Sequence, residues 1–126
     1  MKLGSIRVAL LLVFIICLNG CARKQRFVDF ESDAWIEDRN GCEGVRENMK
    51  DDLLKVKFRL RGKSTSDIID ILGRPDAQEL YQRNQKYYMY YIQPGPECPQ
   101  KSEKPMTLFI RFSAVGVANE ISIKKE

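Results

Sequence analysis

Four cysteines and no histidine set the chemistry open to this chain. Without histidine it lacks the commonest general base and the commonest neutral metal ligand. Ser64 and Ser66 offer hydroxyls in helix-start surroundings with no base spaced to activate them. Asp67, Asp70 and Asp76 are better explained as a helix cap, a solvated helix position and turn chemistry than as cation ligands. No Gly-rich phosphate loop and no metal-ligand spacing is present. These residues indicate a non-enzymatic protein with no cofactor, no metal and no evident small-molecule substrate. The cysteines remain: Cys17 and Cys21 near the start, Cys42 and Cys98 far apart in Gly- and Pro-rich surroundings.

The first pair lies in a segment that does not read as part of a fold. Lys2 and Arg7 are the only charges before Cys21, and Val8 to Leu18 is an unbroken run of eleven apolar residues. A bilayer-spanning helix takes about 20 residues, so the run is too short to span. A basic start, a short apolar centre and a small-residue end make a secretory signal peptide. Leu18-Asn19-Gly20-Cys21 resembles the lipobox of bacterial lipoproteins. That resemblance implies acylation of Cys21, removal of residues 1–20, a lipid-proximal tether over 21–30 and one domain over 31–126. Two or more acyl chains hold a protein stably on a membrane, each buried CH₂ contributing about 0.8 kcal/mol. The expected location is the cell envelope, lipid-anchored in the outer membrane and facing the periplasm.

Processing alters the charge. The chain carries 21 basic and 17 acidic residues; losing Lys2 and Arg7 leaves 19 against 17. No basic stripe of the kind that tracks nucleic acid is present. Processing also isolates Cys42 and Cys98 as the remaining thiols, in a compartment where disulfides persist. Neither has a C-x-x-C partner or a neighbouring base, so the reading is a structural disulfide between them. It would close a ring of about 55 residues, for which chain entropy gives roughly 4 kcal/mol.

The remaining sequence sorts into helices followed by strands. Glu31 to Asp38 reads as a short helix capped by Ser32 or Asp33, with Trp35 and Ile36 turned inward. Val45, Met49, Leu53, Val56 and Leu60 recur at spacings of three and four, which predicts one helix ended by Gly62. Ser64 with Asp67 forms a capping box for a third helix, stopped by Gly73 and Pro75. The period then shortens to two. Strands are expected over 78–82, 85–92, 106–112 and 117–123, with a Pro-rich loop at 94–105. In the last strand Val117, Asn119, Ile121 and Ile123 share a face. The architecture is α+β, a two-layer sandwich of helices on a 3–4-stranded antiparallel meander.

The run "GKSTSDIIDILGRPD" (Gly62 to Asp76), the aromatic strand "KYYMYYI" and "LFIRFSAVGVANE" resemble the small outer-membrane lipoproteins of the SmpA/OmlA (BamE-like) type. The resemblance implies helices packed on an antiparallel sheet and a role in envelope assembly. This chain adds residues before Gly62 and a Pro loop between strands, which suits a lipoprotein family sharing that fold. Tyr88, Tyr90 and Phe109 are candidate partner-binding residues if their strand face is open, since tyrosine anchors many interfaces. Arg39, Glu43 and Arg46 read as loop-holding salt bridges. The functional expectation is a protein-binding or assembly module with a protein partner in the envelope. The alternative is a periplasmic inhibitor or sensor of a soluble hydrolase.

Overall fold

The computed structural model describes residues 2–18 and 23–126. Helix α1, Lys2–Leu18, holds the apolar run, and its residues 2–14 are exposed. Among the described residues no helix is long and apolar enough to cross a membrane. Helices α2 (Ser32–Glu37), α3 (Val45–Asn48), α4 (Lys50–Val56) and α5 (Thr65–Leu72) precede strands β1 (Ala77–Tyr81), β2 (Gln85–Tyr91), β3 (Met106–Phe112) and β4 (Ala118–Lys125). Two 3₁₀ turns, Arg39–Gly41 and Lys57–Leu60, follow α2 and α4. The strands form one antiparallel sheet in the order β1-β2-β3-β4. The α+β class and the helix-then-sheet order are as the sequence periods indicated.

One apolar cluster joins the layers. Leu53, Val56 and Leu60 from the α4 region and Ile68, Ile71 and Leu72 from α5 meet Tyr88, Tyr90, Leu108, Ile110 and Phe112 of the sheet, all buried. Full burial of a large apolar side chain contributes roughly 1.5–3 kcal/mol, so this stripe dominates the fold's stability. The segment read as a tether joins the fold early. Phe27 packs against the cluster and Phe30 lies within it, its ring 5.8 Å from that of Trp35. The backbone N–H of Gln25 donates to Asp70.

Three local expectations change. Glu31, and not Ser32 or Asp33, occupies the N-cap of α2; Ser32 is buried in the first turn. The single helix expected from Val45 breaks at Met49, which closes α3 and opens α4. Arg46 of α3 is held by polar contacts, whereas Leu53 and Val56 of α4 and Leu60 after it are held by apolar burial. In β4 a register shift opposite Arg111 and Phe112 pairs Ala118 with Phe112. Ala118 is therefore the inward residue and Asn119 is exposed, because a bulge resets the alternation.

Helix α5 follows its sequence signals closely. The Ser64 hydroxyl accepts the Asp67 N–H at 3.2 Å. Gly73 ends the helix at φ +78°, and a Cβ there would stand 2.9 Å from Ile36 Cγ1. Glycine is required both for the turn and for the close approach of α2.

Candidate functional site

The two faces of β2 have different surroundings. Successive side chains on a strand point to opposite faces. Tyr88 and Tyr90 point to the helices: Tyr88 stacks edge-on against Phe112 at 4.7 Å, and the Tyr90 hydroxyl donates to the Gly73 carbonyl at 2.8 Å. Burial, with smaller contributions from Tyr88 and Asp76, pushes the Tyr90 phenol well above its usual range. The expectation that Tyr88 and Tyr90 form part of a partner-binding strip is corrected, because both are core residues. Phe109 lies on the opposite face, since it pairs with Met89 while Tyr88 pairs with Ile110.

That opposite face carries a second aromatic set. The register aligns Ala77, Met89, Phe109 and Ser122 in one row, and Glu79, Tyr87, Arg111 and Glu120 in the next. Tyr87 and Phe109 are half-buried, and Tyr81 is exposed with its ring edge-on to Tyr87 at 5.6 Å. Lys124 Nζ lies 5.3 Å from the Phe109 ring centroid, and Arg111 pairs with Glu120 at 2.8 Å. The arrangement is a mixed aromatic and charged surface, the composition found at protein interfaces. Sequence reasoning missed Tyr81 and Tyr87 as members. The alternation around Phe109 could have found Tyr87, once Phe109 was set opposite Met89.

The Pro-rich loop bounds one end of this face. Gly95 rests on the Tyr91 ring, where an added Cβ would stand 2.6 Å from Cδ2. Burial, then Asp76, raises the Tyr91 phenol above its ordinary value. Between Tyr91, Pro96, Lys101 and Pro105 an open hollow of about 500 Å³ remains. The Cys42–Cys98 disulfide ties the loop to the turn after α2, with the two Cα atoms 5.4 Å apart. The Gly95 N–H donates to the Asn40 carbonyl, and Gln100 Nε2 to the Cys42 carbonyl at 2.6 Å.

Behind that loop a buried polar knot joins five segments. Arg46 Nη1 stands 2.5 Å from Asp76 Oδ2, with both side chains fully buried. Asp76 also accepts the N–H groups of Asn40 and Tyr91. Arg46 Nε donates to the Trp35 carbonyl, Nη1 to the Tyr91 carbonyl, and the guanidinium lies 4.8 Å over the Trp35 ring. Asp38 accepts the N–H groups of Glu43 and Arg46. Of the charged trio read as holding the loop, Arg46 is the centre and Arg39 is peripheral, 3.6 Å from Asp76. Asp76 is the hub of the knot rather than a local turn residue. A buried charge needs a partner and satisfied hydrogen bonds, and this geometry meets both needs for the carboxylate.

Cys21, the proposed acylation site, lies outside the described residues. The described residues thus define a two-layer α+β domain with a disulfide-pinned loop and one sheet face left open by its helices. No protein-family model, curated protein or solved structure matches this chain.

Proposed function

We propose that this chain is a cell-envelope lipoprotein that acts by binding protein, as a non-catalytic assembly or structural module of the outer membrane facing the periplasm. The lipobox-like Leu18-Asn19-Gly20-Cys21 supplies the anchor, and the SmpA/OmlA-type resemblance from Gly62 onward supports the same setting. The observation that carries the binding role is the open aromatic face of the sheet, Tyr81, Tyr87 and Phe109, bordered by Lys124 and the Arg111–Glu120 pair. Aromatic side chains with a charged rim give large contact area for little conformational entropy.

The linker geometry supports a membrane-apposed module. Gln25 is already bound to Asp70, four residues after Cys21. Four residues reach at most about 14 Å, so an acylated Cys21 would hold the domain close to the lipid surface.

Two measurements on native protein from membranes test this reading. Mass spectrometry is expected to find a chain beginning at acylated Cys21. Purification in mild detergent is expected to retain a partner that the Tyr87→Ala, Phe109→Ala double variant loses while keeping its circular dichroism spectrum. A chain still carrying residues 1–20, or one running alone on native sizing under gentle conditions, would overturn it.

A further inference from the structure

The sheet has a second feature, beside its open face: the outer edge of β4. The chain begins a fifth strand along that edge and then abandons it. Gly62 N–H donates to the Ala118 carbonyl at 2.8 Å, Ala118 N–H donates to the Lys63 carbonyl at 2.8 Å, and Ser64 bridges Val117 antiparallel. Arg61 Nε then closes on the Asn119 carbonyl at 3.2 Å. Beyond Asn119 no backbone bridge covers this edge among the described residues. Residues 120–125 run on for roughly 20 Å at the usual rise per residue.

Beside this bare edge lies a groove of about 420 Å³ formed by Leu54, Lys57, Phe58, Arg61, Glu120 and Ile121. Leu54 of α4 and Phe58 of the following 3₁₀ turn are 47% and 74% exposed, beside the buried Leu53, Val56 and Leu60. Glu120 is engaged by Arg111. Lys57 and Arg61 have no carboxylate within salt-bridge distance among the described residues, so the groove carries uncompensated positive charge.

We propose that the β4 edge and this groove together take an extended peptide segment of a partner protein, one that adds as a fifth strand and turns both apolar and acidic residues, at every second position, toward the groove. Backbone hydrogen bonds to residues 120–125 supply affinity, as in strand addition generally. On the side of the added strand that faces the groove, an apolar side chain packs on Leu54, Phe58 and Ile121 and a carboxylate two residues away meets Lys57 or Arg61, which fixes register and sign. An exposed edge is otherwise an aggregation liability that a chain covers or charges. Here the lane is seeded by residues 62–64, flanked by cations and lined by exposed apolar groups. This proposal rests on the protein-binding reading and assigns a surface to it.

The test uses the full chain in mild detergent and a seven-residue synthetic peptide, Val-Thr-Glu-Thr-Val-Thr-Glu, whose valines and glutamates share one face when it is extended. Two control peptides replace glutamate by lysine or N-methylate alternate backbone amides. The acidic peptide is expected to bind at least tenfold more tightly than either control and to slow hydrogen exchange at residues 120–125. Phe58→Asp is expected to weaken it at least tenfold. Lys57→Glu with Arg61→Glu is expected to reverse the preference toward the lysine peptide, and both changes lie at the surface. Equal affinity for the three peptides overturns the proposal. So does protection appearing at β1 instead, unchanged affinity in the Phe58 and Lys57/Arg61 variants, or a concentration-dependent dimer that already protects β4. If any of these appears while the native partner still co-purifies, the groove assignment fails and the protein-binding reading stands.

Discussion

The two faces of β2 use the same side chain for opposite ends. Tyr88 and Tyr90 are buried under α4 and α5, one edge-on to Phe112 and one hydrogen-bonded to Gly73. Tyr87 and Tyr91 are only half-buried on the other face, one beside Tyr81 and one beneath Gly95. Residue type sets what a tyrosine can do, an apolar ring with a polar tip. Which layer lies over the strand decides whether that ring is core or surface. The core face is held at its edge by the Arg46–Asp76 knot and the open face is bounded by the disulfide-tied loop, so the two faces meet at Tyr91.

Substitution across the strand should separate the faces most widely. Tyr90→Ala is expected to cost about 3–5 kcal/mol of unfolding free energy, as large-to-small changes at buried aromatics do. Tyr87→Ala, on the open face, is expected to stay within about 1 kcal/mol of the parent. Urea unfolding of both variants checks the pair, and similar losses would break the distinction between the faces.

Asp76→Ala leaves the Arg46 guanidinium buried and unpaired, an expected loss of about 3–5 kcal/mol. Asp76→Asn keeps the acceptor for Asn40 or Tyr91 N–H and should lose less. Equal stability of Asp76→Ala and the parent would show that the knot does not hold the covered face. Replacing both Cys42 and Cys98 by Ser should cost roughly 4 kcal/mol by the chain-entropy relation. Hydrogen exchange should then rise in residues 94–105 before it rises in α5, because the loop hangs on that bond.

The smallest expected effect is at high pH. The folded state raises the phenols of Tyr90 and Tyr91, chiefly through burial, so it favours their neutral forms. That contribution is fully present below the unfolded tyrosine value of about 10 and is lost as pH rises through the folded values. Stability should therefore fall above about pH 10, and Tyr90→Phe should flatten that fall. Near pH 7 the same variant should lose only about 1 kcal/mol, the hydroxyl's bond to Gly73. A spectrophotometric titration of the phenols gives the direct check. Ionisation of all tyrosines near 10 in the folded chain would contradict the burial of Tyr90.

Much of this fold was legible because its signals are local. The Ser64 cap, the Gly73 stop, the buried Leu53–Val56–Leu60 spacing and the Met106–Phe112 strand each depend on neighbours within a few residues. The Cys42–Cys98 pairing was legible for a different reason, since both lie in Gly- or Pro-rich surroundings and neither has a C-x-x-C partner. The bulge in β4 left no mark in its own residues. It arises from pairing with Arg111 and Phe112, and it moved Ala118 inward in place of Asn119.

The sequence by itself determined the α+β class, the helix-then-sheet order and the disulfide pair, because periods, caps and cysteine surroundings are properties of short stretches. Tertiary structure alone decided which tyrosines are surface and which cations are free. It brought Arg46 to Asp76 across 30 residues and set Lys57 and Arg61 beside β4 across about 60. Burial and charge pairing are relations between distant segments, and they exist only once the layers have packed.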